Sequence, residues 1–222
     1  MLAGEAVVAI WNGVAPEGRA AFCDWHLHEH MPERVGIPGF LRGRRYVALD
    51  DDTQPEFFTL YEAATMQVLQ GSDYTNRLNA PTALTRSTTA HFRDTSRALA
   101  RVLDSSGPGM GGALLSVRFA AEAPAGPTLA DAVRATARLP RITGAHLCVA
   151  DDVASGAGTE ESKGRTDLQP PPGWFALLEA TDAAALRDAL ANSTLIAAGA
   201  RGDIRRGLYR LEYVRTKTAF GV

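Results

Sequence analysis

One short pattern occurs twice in this chain, as Phe58-x-Leu60-x-Glu62-Ala63 and again as Phe175-x-Leu177-x-Glu179-Ala180. Each copy alternates apolar residues in the way a strand does, and each stands at the same place in a series of predicted elements. In the first half, residues 6–11 (AVVAIW) form a β-rich run and Pro16 suits the first turn of a helix over 16–34. The turn Ile37-Pro38-Gly39 follows, then strands over 40–49 and 57–63, a helical region over 64–90 and a closing strand over 96–103. The second half repeats this order. It has a strand at 113–119, a helix from Thr128 to Leu139 opened by a Thr-x-x-Asp cap, strands at 145–150 and 175–180, a helix at 182–191 and a strand at 207–215. Residues 105–112 (SSGPGMGG) read as a flexible linker between residues 1–104 and 113–222.

Strand, helix, strand, strand, helix, strand is the split βαβ arrangement, so the expected fold is α+β, with two tandem ferredoxin-like βαββαβ repeats. Such a sheet has helices on one face only, and its bare face must be buried. Packing the two antiparallel sheets face to face as an α/β barrel does this, within one chain or across a homodimer, and is expected to enclose a ligand cavity.

Composition narrows the function. Lys+Arg 23 against Asp+Glu 25 over 222 residues leaves a net charge of −2, with no basic field for nucleic acid or an anionic membrane. No apolar run reaches the length of a spanning helix, and the N-terminus lacks a basic leader region, so a cytoplasmic protein is expected. Cys23 and Cys148 are read as reduced thiols. There is no GxGxxG behind a strand, no P-loop and no GxSxG, which argues against nucleotide-dependent and serine-nucleophile chemistry, and no cofactor is called for.

Three of the five histidines fall in the first helix and its exit, AAFCDWHLHEHMPERVG. At about 100° per residue, Cys23, His26, His30 and Glu33 share one arc bordering the apolar face, and His28 lies on the far side toward solvent. An imidazole titrates near neutrality and a carboxylate can orient it, so His30 is the candidate acid/base, with His26 and Glu33 tuning it. Two histidines at i and i+4 could instead hold a metal with Cys23 or Glu33, but the zincin pattern is absent because Leu27, not Glu, follows His26. Aligned on Ile37 and Ile142, the second half places Ala130, Asp131, Arg134, Ala135 and Arg138 opposite Trp25, His26, Glu29, His30 and Glu33. The loss of all five favours a role particular to the first half. In the strand at 40–49, Arg42, Arg44 and Tyr46 share a face with Phe40, and Arg44 and Tyr46 are candidate contacts for an anionic or phenolic substrate. Asn12, ending the first strand, could bond a ligand carbonyl. Trp11, Trp25, Tyr61 and Trp174 are read as core.

The run Trp11-Asn12, Trp25-His26, Glu29-His30, Pro32-Glu33, Ile37-Pro38-Gly39-Phe40 and Arg44-Arg45-Tyr46 resembles the dimeric α/β-barrel superfamily, and within it EthD-like bacterial proteins, most strongly over residues 5–63. The resemblance implies a histidine before the Pro-Gly turn, which is His30 here. Its haem-degrading members use an asparagine on the first strand and a histidine on the second helix; Asn12 is near the first position, but residues 64–90 contain no histidine. The resulting expectation is a small-molecule enzyme, of cofactor-free monooxygenase or isomerase type, taking an apolar aromatic substrate in the barrel. A non-catalytic ligand-binding or stress-associated barrel is the alternative.

Overall fold

A computed structural model describes residues 1–219. The strands are β1 (Ala6–Val14), β2 (Phe40–Ala48), β3 (Phe57–Ala63), β4 (Phe92–Ser106), β5 (Ala113–Ala120), β6 (Ile142–Ala150), β7 (Leu168–Gln169), β8 (Trp174–Ala180) and β9 (Arg201–Thr216). The helices are α1 (Arg19–Trp25), α2 (Met31–Gly36), α3 (Met66–Gln70), α4 (Ser72–Leu78), α5 (Ala83–Thr89), α6 (Gly126–Thr136), α7 (Asp152–Gly156) and α8 (Asn192–Ala197).

Eight strands pair antiparallel in the order β1-β3-β2-β9-β5-β8-β6-β4, and β4 pairs back onto β1, closing a barrel within one chain. The first half supplies β4-β1-β3-β2 and the second β9-β5-β8-β6, the same order. The two longest strands join them. β4 leaves β1 for β6 near Ala100, and β9 pairs with both β5 and β2. Closure removes the sheet edges that would otherwise need cover.

Alternation along the strands sorts the side chains into two layers. Trp11, Tyr46, Phe58, Leu60, Phe175, Leu177 and Tyr209 face inward with Val7, Ala9, Leu114 and Cys148. Trp11 lies 5.1 Å from Phe58 and 5.3 Å from Phe175, ring centroid to centroid. These rings fill the barrel, so it is a packed core and not the expected ligand cavity. Outward-facing residues are buried beneath helices, around Tyr61, Leu99 and Val35 in the first half and around Leu129, Val133 and Leu178 in the second.

Several local readings change. Residues 64–90 form three short helices, α3 to α5, because Gly71 and Pro81 interrupt them. The helix expected at 182–191 is a 3₁₀ turn, Ala183–Leu186, capped by Asp182, with α8 beginning at Asn192. Thr128 does not cap α6; that helix starts at Gly126, with Pro127 in its first turn. Within the segment read as a flexible linker, Gly109 N–H donates to the Thr143 carbonyl and Gly111 N–H to Glu179. The Gly109 carbonyl accepts from the N-terminal ammonium at 2.8 Å. The chain start and this segment together close one end of the barrel.

Register also corrects the alignment of the halves. Ala63 pairs with Phe40 and with Ala6, as Ala180 pairs with Ile142 and with Ala113. Phe40, not Ile37, is therefore the counterpart of Ile142. At the helix start, the 3₁₀ turns of Ala15-Pro16-Glu17-Gly18 and Ala123-Pro124-Ala125-Gly126 correspond. Between these anchors the first half carries extra residues.

Candidate functional site

A π turn, His26–His30, between α1 and α2 takes up one of the extra residues, and the others lengthen the helical segment, Arg19–Gly36 against Gly126–Thr136. Such wide turns place an inserted residue in a helix without breaking it, and they recur at functional sites. Here the turn directs both His26 and His30 toward the outer face of the first-half sheet, where they are 3% and 5% exposed. Their rings lie 5.6 Å apart; Trp25 stacks 4.2 Å from His30, and Phe22 lies 5.4 Å from His26. His28 is exposed, as its position on the helix predicts.

The imidazoles are short of hydrogen bonds. His26 Nε2 meets the Tyr61 hydroxyl at 3.3 Å, and Nδ1 of both His26 and His30 is buried without a partner. Burial, then the positive charges of Arg45 and Arg34, pushes His26 down to about 3. Burial, then Arg34, His26 and Arg77, holds His30 well below the usual range. Burial raises the Tyr61 phenol, so it stays protonated. Two neutral imidazoles thus stand in an aromatic box within a cationic field.

Glu33 does not reach either ring. It pairs with Arg77, and lies 3.7 Å from Arg34. Asn12 is buried on the outer face and makes a 3.4 Å contact from Nδ2 to the Gly13 carbonyl. Arg44 and Tyr46 face the barrel interior, where Arg44 Nη1 donates to the Tyr46 hydroxyl at 2.8 Å and to Glu179 at 2.9 Å. The sheet wall separates them from the histidines. The expected set is therefore divided: His26, His30 and Asn12 lie under the helices, while Arg44 and Tyr46 belong to a buried ion network in the filled barrel interior, where Arg44 Nη2 has no hydrogen-bond partner.

Between the two anchors the second half, Gly126 to Ile142, contains no histidine, so the absence of the pair from that half holds whichever offset is used.

The largest unforeseen element is the polar segment between β6 and β8. It crosses from the second half onto the first. Glu161 N–H donates to the Leu78 carbonyl, Glu160 N–H to Asn79, and the Glu161 carboxylate pairs with buried Arg34. Asp167 accepts from Thr95 and Arg165 at 2.6 Å, and β7 adds in parallel to β4. Between this segment and α5 lies a cavity of about 750 Å³ lined by Thr85, Thr89, Phe92, Glu161, Arg165 and Asp167, among others. Trp25 touches two of these, donating from Nε1 to Thr85 at 3.2 Å and packing edge-on to Phe92, while it also stacks on His30. One indole thus links the cavity wall to the imidazole. Nothing in the spacing of residues 151–173 signals this contact.

No group of three or more His, Cys, Asp or Glu among the described residues is arranged to hold a metal ion. The second-helix histidine of the haem-degrading barrels has no counterpart here. Helices α3 to α5 carry no histidine, His91 packs against Gly18, and His146 is engaged inside the barrel by Ser105 and Glu179. No helix is long and apolar enough to cross a membrane, and Cys23 and Cys148 are free.

No protein-family model matches the chain, and no curated protein matches it in sequence. Solved structures do match in fold. An anthrone oxidase-like protein superposes with a TM-score of 0.62 at 9% identity, covering 95% of this chain and 92% of that one. A candidate monooxygenase from Lactobacillus acidophilus gives 0.56 at 8% identity, covering 96% of each chain. Another, from Fusobacterium nucleatum, gives 0.54 at 7% identity, covering 100% of this chain and 98% of that one. At such identities the likeness speaks to architecture: this chain shares the α+β barrel fold of these proteins.

Proposed function

We propose that this chain is a small-molecule enzyme of cofactor-free monooxygenase or isomerase type, built from tandem ferredoxin-like repeats, whose site lies beneath the first helix and not inside the barrel. The observation that carries this reading is the pair of buried imidazoles with unpartnered Nδ1 atoms in a π turn. Buried polar atoms are mostly satisfied in folded proteins, and a ligand that bonds these two neighbouring nitrogens recovers the cost of leaving them unpartnered. The names of the structural neighbours are compatible with it.

The chemistry follows from the surroundings. An aromatic substrate enters from the 750 Å³ cavity and displaces Trp25, which separates that cavity from His30. His30 Nδ1 accepts the proton of a phenol, enol or activated C–H, and His26, fixed by Tyr61, stands beside it. The charges of Arg34, Arg45 and Arg77, which by themselves disfavour an imidazolium, stabilise the delocalised anion left on the substrate. Glu33 positions Arg34 and Arg77. Loss of a proton to give such an anion is the first step shared by cofactor-free oxygenation and by isomerisation.

Incubation with anthrone, hydroquinones and an unsaturated lactone, followed by oxygen uptake and ultraviolet absorbance, tests the proposal. Turnover of one of these that disappears in His30→Phe supports it. The filled barrel interior favours the second reading, a non-catalytic ligand-binding protein; binding of these compounds without turnover would establish that instead.

A further inference from the structure

The end of the barrel opposite the chain start is open. Its mouth is a cavity of about 650 Å³ between the starts of β4 and β9, the end of β5 and the Pro170-Pro171-Pro172 run. By strand register Arg118 takes the place in the second half that Trp11 takes in the first: Trp11 pairs opposite Phe58, and Arg118 opposite Phe175. The guanidinium lies 5.1 Å over the Trp11 ring and donates from Nη2 to the Gln54 carbonyl at 3.1 Å.

Arg118 is 8% exposed and takes part in none of the ion pairs among the described residues. Buried Arg34, Arg44 and Arg45 each have a carboxylate within 4.0 Å. A buried cation without a counter-ion is unfavourable unless an anion is supplied. Asp94 and Asp203 stand at the rim, both exposed, and Arg205 adds a second cation there. Pro55, Phe119 and the proline run give the cavity apolar walls.

We infer that this mouth binds a small organic anion with a flat apolar body, its carboxylate on Arg118 and its ring system against the prolines. Arg205 assists at the rim. The site lies apart from the histidine pair and stands or falls independently of the enzymatic proposal.

Calorimetric titration with 1-naphthoate, with 1-naphthamide as the uncharged control, tests it. Naphthoate is expected to bind saturably and at least about tenfold more tightly than the amide, the factor a charge-assisted hydrogen bond supplies. Arg118→Met is expected to abolish that preference, Arg205→Ala to weaken it and His30→Phe to leave it unchanged. Arg205 is exposed, so its variant keeps the test open if Arg118→Met fails to fold. Absence of saturable naphthoate binding, equal affinity for acid and amide, or unaltered affinity in both arginine variants would overturn the inference.

Discussion

Arg44, from the first half, meets Glu179, from the second, at 2.9 Å in the barrel interior, with both side chains fully buried. Arg44 Nε also lies 2.9 Å from Glu62, a charge contact without hydrogen-bond alignment. Glu62 and Glu179 are the glutamates of the duplicated pattern, and register places His146 where Arg44 stands in the other half. Glu62 is completed by Arg42 and by the Ala3 N–H; Glu179 by His146 and the Gly111 N–H. One arginine thus ties together the halves, the chain start and the connecting segment. Arg44→Met is expected to destabilise the protein by about 3–5 kcal/mol, because both carboxylates lose a buried counter-charge. Urea unfolding would measure this. Replacing Glu62 and Glu179 by Gln in the same variant should recover part of the loss, and failure to do so would mean that Arg44 matters through packing alone.

Stability should fall in acid from two directions that share a sign. Burial opposes the charged form of Glu179, but the hydrogen bond from His146 and the charge of Arg44 outweigh it and hold the carboxyl near 2, below its ordinary 4.5. The folded state then binds fewer protons than the unfolded one between these values, so this contribution is present above about pH 4.5 and is lost toward pH 2. His26, pushed from 6.5 to about 3, also stays neutral in the fold while the unfolded chain takes a proton. Its contribution is present above about pH 6.5 and is lost toward pH 3. Melting curves should therefore show stability declining already below pH 6.5 and more steeply below 4.5. His26→Phe should flatten the upper part and Glu179→Gln the lower.

Phenylalanine in place of His30 separates function from structure. The ring keeps its stacking on Trp25, and an orphaned Nδ1 is replaced by carbon, a change that is neutral or stabilising where a buried polar group has no partner. His30→Phe is expected to keep or raise the melting temperature while abolishing turnover. His30→Ala should remain within about 1 kcal/mol of the parent only if the neighbouring rings close over the gap. A stability loss in the phenylalanine variant would show that the imidazole makes a structural bond.

Element order and the inward alternation of the strands could be read from the sequence because both halves repeat them and local periodicity encodes them. The barrel's filling could not, since Trp11, Phe58 and Phe175 come from three strands whose meeting depends on closure. The histidines were visible as a cluster, but a straight helix wheel cannot show a π turn; it grouped Glu33 with rings that it does not touch. Alternation puts Arg44 and Tyr46 on one face, and that face is inward as a ligand in the barrel requires, but it cannot show that the interior is filled and that Arg44 pairs there with Glu62 and Glu179. Glu161 and Arg34 are distant in sequence, and their pairing is set by where the β6–β8 segment lands.

That segment should behave as a removable cover. Arg34 is 3% exposed, and the Glu161 carboxylate is its principal partner; Glu33, at 3.7 Å, is shared with Arg77. Glu161→Ala leaves the guanidinium undercompensated and removes the tie between the segment and α2, at an expected cost of about 1–3 kcal/mol. The backbone bonds of Glu160 and Glu161 to Asn79 and Leu78 should then exchange faster, along with the rest of residues 157–167, while the barrel strands keep their protection. Hydrogen-exchange mass spectrometry resolves these regions, and trypsin should cut sooner at Lys163 and Arg165. If the cavity beneath this segment is the route to His30, the same variant should alter KM for any substrate found and leave kcat nearly unchanged. A fall in kcat alone, with exchange unaltered, would place Glu161 in the chemistry and not in the cover.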